Sequence, residues 1–124
     1  MIDFQNGSVF KLKPVTLEEG IAAVGLLLVD GENITAAFRG NRDMIVFTDK
    51  RIIAVNVQGL TGKKIDYSSL PFAKIQAFSV ETAGSFDRDA ELELWFSGLG
   101  KVKLEFSGSV DIRQMGRDIA NKVL

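Results

Sequence analysis

Residues 90–106 hold the pattern that most constrains the fold. Leu92, Leu94 and Phe96 alternate with Glu91, Glu93 and Trp95, and Val102, Leu104 and Phe106 recur at the same period of two. In an extended strand, alternate side chains point to opposite faces, so each run has one apolar face and one polar face. Keeping both apolar sets on one side requires an odd loop, which predicts a three- or five-residue turn around Gly98-Leu99-Gly100. Trp95 then falls on the polar face.

The same period appears earlier. Ile34, Ala36 and Phe38 alternate with Asn33, Thr35 and Arg39. Met44–Phe47 and Ile52–Val57 read as two further strands, joined through Asp49-Lys50. Both are apolar on both faces, so they are expected to be covered twice, by a second layer or by another subunit. Lys63–Tyr67 gives a fourth strand and residues 73–82 a fifth, whose pattern slips between Ala77 and Phe78 as at a β-bulge.

Helical spacing brackets these strands. Thr16-Leu17-Glu18-Glu19 fits a capping box, and Leu17, Ile21, Val24 and Leu28 follow as a stripe up to a stop at Gly31. Leu26, Leu27 and Val29 lie off that stripe, which calls for burial on more than one side. A last helix starts near Val110, with Ser109 as its cap and Ile112, Met115, Ile119 and Val123 as its apolar stripe.

The prediction is therefore an α+β fold of one domain over residues 1–124, with residues 1–15, including Gly7 and Ser8, only loosely ordered. Seven antiparallel strands curl into a barrel or two packed sheets, with a C-terminal capping helix and an extra N-terminal helix.

Composition removes several function classes. The chain has no Cys and no His, so thiol chemistry, thiolate metal sites and histidine proton transfer are absent. The net charge is −1, with both signs spread evenly, which argues against a nucleic-acid footprint. The apolar run from Ile21 to Val29 is too short to span a membrane. Glu18 and Glu19 directly before it do not suit a signal peptide, so a mature cytoplasmic segment is expected.

Several stretches resemble the bacterial pleckstrin-homology (PH) domain family. They are Gly31-Glu32, the run Arg42-Asp43-Met44-Ile45-Val46-Phe47-Thr48-Asp49-Lys50-Arg51-Ile52-Ile53, Ser68-Ser69-Leu70-Pro71-Phe72, and Phe78-Ser79-Val80-Glu81-Thr82-Ala83-Gly84. The resemblance covers most of residues 17–124. It implies a PH-like fold, no established activity, and in some members ring-shaped homo-oligomers. Eukaryotic relatives bind phosphoinositides through basic residues of the first strand–loop–strand. Here that place holds only Arg39 and Arg42, with Asp43 adjacent.

Six cations are candidate ligand-binding residues: Arg39, Arg42, Lys50, Arg51, Lys63 and Lys64. Three or four on one rim could hold a phosphate, whereas scattered they would only keep strand edges soluble. Leu26, Leu27, Val29 and Trp95 are candidate interface residues. Asp87-Arg88-Asp89-Ala90-Glu91 resembles the start of a calcium loop but has Leu92 and Gly98 where Gly and Glu are needed. Gly59-Leu60-Thr61-Gly62-Lys63-Lys64 lacks the spacing and the Ser/Thr of a P-loop. No residue set singles out an enzyme, a cofactor or a metal. The expected partners are other copies of the chain, an unidentified protein, or anionic lipid.

Overall fold

The structure, a computed structural model, describes residues 1–4, 9–86, 88–107 and 110–124, the side chain of Phe10 excepted. The expectations for Gly7-Ser8, Asp87 and the Ser109 cap lie outside the described residues.

The strands are β1 (Val9–Val15), β2 (Ile34–Arg39), β3 (Asp43–Thr48), β4 (Arg51–Gln58), β5 (Lys64–Pro71), β6 (Ile75–Glu81), β7 (Ala90–Phe96) and β8 (Gly100–Phe106). Helix α1 (Leu17–Val24) follows β1, and α2 (Ile112–Val123) closes the chain. All eight strands form one sheet in the order β5-β4-β3-β2-β1-β8-β7-β6. This is the expected α+β PH-like architecture with one more strand than predicted.

The extra strand is β1. Its buried residues Val9 and Leu12 are three apart instead of two, because the register with β8 shifts between them. Lys11, at φ +57°, lies in that irregularity. β1 runs antiparallel to β2 and parallel to β8, so the first and last strands are neighbours.

The expected barrel does not close. β5 and β6 are the two ends of the strand order. β5 ends at Pro71, which has no N–H to extend a ladder, and a 3-10 turn over Phe72–Lys74 redirects the chain. Helix α2 packs on β6, β7 and that turn, and so covers the open side. Ile112, Met115 and Ile119 are buried as the stripe requires, and Val123 packs partly against the core. Asp111 caps α2, accepting from the Gln114 N–H at 3.1 Å. Gly116 allows the close approach, since a Cβ there would lie 3.0 Å from Val80 Cγ1.

The sheet curls so that both halves share one inner core. Ile45, Phe47, Ile52 and Ala54 from β3 and β4 meet Leu92, Leu94, Val102, Leu104 and Phe106 from β7 and β8. Phe38 joins the halves, edge-on to Phe106 at 4.8 Å and to Phe47 at 5.7 Å. The last hairpin turns through three residues, with Phe96 paired to Gly100. The irregularity in β6 falls between Ile75 and Ala77, just before the predicted position.

A second, smaller core lies on the outer face of β2–β4. Val24 of α1 packs there with Ala37, Met44, Val46, Ile53 and Val55. These are the other faces of the two doubly apolar strands, and α1 is the layer that covers them. The helix is shorter than predicted. It ends at Val24, continues as a 3-10 turn over Gly25–Leu27, and leaves Leu28 extended. Its contact face also differs. Gly20 and Val24 are buried while Leu17 and Ile21 are exposed. A Cβ on Gly20 would meet Ala37 Cβ at 3.2 Å, so this glycine sets the close docking of α1 on β2.

Candidate interaction surface

The six candidate cations divide between the two ends of the sheet. Arg39, Arg42, Lys63 and Lys64 lie at the end of the sheet where β2 finishes and β3 and β5 begin. Lys50 and Arg51 lie at the opposite end, in and after the β3–β4 turn.

Arg51 is committed to the interior. Its Nε and one terminal nitrogen donate to the two Glu32 carboxylate oxygens, each at 2.9 Å. The guanidinium also donates to Ser69 Oγ at 2.9 Å and to the Leu27 carbonyl at 2.7 Å. Glu32 further accepts from Thr48 Oγ1 at 2.7 Å and from the Val29 N–H at 3.0 Å. Burial alone would raise the Glu32 carboxyl, but the hydrogen bonds from Arg51, Thr48 and Val29 outweigh it and hold the pKa at about 2. Gly31-Glu32, Thr48-Asp49-Lys50-Arg51 and Ser69, all within the stretches that carry the family resemblance, thus meet in one clasp. The clasp ties the segment after α1, at Leu27 and Val29, to the β3–β4 turn and to β5, which gives it a structural role.

At the other end, Arg42 donates to the Gly59 carbonyl at 2.7 Å, bracing the β4–β5 turn. Arg39 pairs with Glu19 of α1 at 3.3 Å with both side chains well exposed. Beside it lies an open cleft of about 690 Å3 lined by Lys11, Lys13, Arg39 and the Gly40-Asn41 turn. Lys11 and Lys13 join the basic rim only because β1 pairs with β2, opposing Lys13 to Arg39. Nothing in the sequence announces that pairing.

The predicted interface residues divide. Leu26 is fully exposed, and Leu27 and Val29 are exposed too, all on the segment that follows α1. Leu17 and Ile21 extend this apolar surface along the helix. On the β5 side of α1, a groove lined by Ala22, Ala23, Met44, Val55 and Val57, with Arg39, Arg42 and Asp43 at one end, leads to the edge strand β5, which exposes Ile65 and Tyr67. Trp95 is half-buried on the outer face of β7, paired across strands with Ala77 and Lys101. It lies on the other half of the sheet from the apolar surface.

Among the described residues, no group of three or more acidic side chains is placed to hold a metal ion. No helix among them is long and apolar enough to cross a membrane.

Comparison with known proteins agrees with this architecture. The chain is 48% identical over 121 residues to the uncharacterized protein YjqA of Bacillus subtilis (strain 168), covering 96% of this chain and 94% of that one. A crystal structure of a DUF1696 family protein with a pleckstrin-homology domain from Shewanella loihica PV-4 superposes with a TM-score of 0.80 at 42% identity, covering 93% of this chain and 99% of that one. A pleckstrin homology domain from Shewanella amazonensis SB2B gives a TM-score of 0.66 at 39% identity, covering 96% and 94%. The sequence model of the family described as bacterial PH domain matches residues 3–123, and the chain belongs to that family.

Proposed function

We propose that this chain is a non-catalytic interaction module that assembles with copies of itself. The observation that carries the reading is the set of large apolar side chains left exposed over this half of the sheet: Leu17, Ile21, Leu26, Leu27 and Val29 on and after α1, and Ile65 and Tyr67 on edge strand β5. Apolar surface gathered on one side of a small domain marks an interaction site. The edge strand β5, which α2 does not cover, adds backbone groups that a neighbour can satisfy. A surface on one side meeting a different surface on the next copy closes into a ring when the rotation permits.

Sedimentation equilibrium at micromolar concentrations tests this. The expected mass is several times the 13.6 kDa of one chain. The double variant Leu26→Glu with Tyr67→Glu should fall to a single-chain mass without losing its far-UV circular dichroism. A single-chain mass for the unaltered protein throughout that range would remove the reading.

A second reading, anionic headgroup binding at a membrane surface, is favoured by the cleft among Lys11, Lys13 and Arg39. Several weak sites on one assembly would gain avidity. Flotation with anionic but not neutral vesicles at physiological salt, lost in Arg39→Glu with Arg42→Glu, would support it. No flotation would discard it.

A further inference from the structure

Beneath α2, on the side of β2 and β3 away from α1, lies a crevice of about 350 Å3. Its floor is aromatic, from Phe38, Phe47 and Phe72, and Met115 and Ile119 of α2 form one wall. The rim is polar and comes mostly from one helix face, with Asp111, Gln114, Asp118 and Lys122 spaced by three or four residues. Thr35 faces them from the irregular start of β2, its hydroxyl donating to the Phe47 carbonyl at 3.3 Å.

The electrostatics of that rim favour a cation. The charged groups on the rim are the carboxylates of Asp111, which caps α2, and of Asp118, which accepts from Gln114 Nε2 at 2.9 Å, against the one ammonium of Lys122. The Lys122 ammonium stands 5.3 Å from the centre of the Phe72 ring and donates to the Asp118 carbonyl at 3.4 Å. An aromatic face below and oxygen acceptors beside it make this position a seat for positive charge. Lys122 belongs to the last turn of α2 and is only half-buried, so its side chain can swing into solvent and leave the seat to another amine. A carboxylate entering the crevice would instead have Lys122 alone to oppose Asp111 and Asp118.

We propose that the crevice is a binding site for a small organic cation, with its aromatic or branched apolar body on the phenylalanine floor and its ammonium over Phe72 beside Asp118. The volume lies at the small end of the range for ligand pockets, about 300–1,000 Å3. The site is separate from the apolar α1–β5 surface and does not depend on self-assembly.

The test is an NMR titration of the full chain with phenethylamine and with 3-phenylpropionate, which share a body and differ in the sign of the head. The amine should shift the amides of residues 35–38 and 111–122 saturably, with a dissociation constant on the order of millimolar. It should bind about two- to fivefold more tightly than the carboxylate, the scale of one partly exposed ion pair. Asp118→Asn should weaken the amine, and Lys122→Ala should strengthen it by removing the internal competitor. Asp118 is exposed and Lys122 half-buried, and an unchanged thermal unfolding midpoint would show that the fold is intact. Equal or tighter binding of the carboxylate, weaker amine binding in Lys122→Ala, or no saturable shift with either probe up to about 20 mM would overturn the proposal.

Discussion

The two halves of the sheet share one inner core but have opposite outer faces. Over β2–β5 the outer face is apolar, with Met44, Val46, Ile53 and Val55 buried under α1 and Ile65 and Tyr67 left in solvent. Over β7 and β8 it carries Glu91, Glu93, Lys101, Lys103 and Glu105, joined by ion pairs of 3.4 to 4.0 Å. The charged half is finished by water. The apolar half needs another layer, and α1 with its following turn supplies only part of one. The proposed interaction face is therefore put on the incompletely covered half, where the helix lying across the sheet is both its cover and part of its exposed surface.

The comparison breaks most strongly at the clasp that holds this cover down. Arg51→Ala leaves the Glu32 carboxylate buried without its counter-ion and should cost about 3–5 kcal/mol in urea unfolding. Acid probes the same contact. The Glu32 pKa is about 2 in the folded chain against an ordinary value of 4.5, so its stabilisation is complete above that ordinary value. It fades as pH falls through the window between them, by an amount on the order of 3 kcal/mol. Denaturation midpoints should decline across that window, and Glu32→Gln should flatten this part of the decline.

A smaller effect is expected where the helix meets the sheet. Gly20→Val forces side-chain atoms into Ala37 and should cost about 1–3 kcal/mol. Hydrogen exchange should then rise in α1 and β2 more than in β7 and β8. Equal changes in both halves would show that the outer layer is not an independent cover.

The charged half should respond least. Lys103 has its pKa raised, first by its hydrogen bond to Glu91, then by the charge of Glu91 and by Glu105. It bridges two glutamates that face one another directly across the strands. Lys103→Ala should nevertheless lower stability by less than about 1 kcal/mol, and by less still in high salt. A loss as large as that of Arg51→Ala would contradict the contrast between the halves.

Much of the fold was legible in the residues. The inner faces of β7 and β8 and the buried stripe of α2 follow directly from their periods. β1 was not legible, because an irregularity puts Val9 and Leu12 three apart and Pro14 interrupts the strand pattern. The face of α1 is not legible in the sequence, because its contact runs through Gly20, a residue that no hydrophobic pattern registers. The candidate site was legible only in part. Leu26, Leu27 and Val29 stand out in the sequence as surplus apolar residues, whereas the alternation at Ile65 and Tyr67 is that of any strand, and only the strand order makes β5 an edge.

From its residues alone, the chain determines which side of each element is apolar, where the turns fall, and that cysteine and histidine chemistry are absent. These properties repeat over a few residues and need no knowledge of neighbours. Tertiary structure decides that Arg51 is an internal partner of Glu32, that Lys11 and Lys13 join Arg39, and that one apolar face remains uncovered. Each of these depends on which distant strands lie side by side. A period reports the direction in which a side chain points, and only the assembled sheet supplies what it meets there.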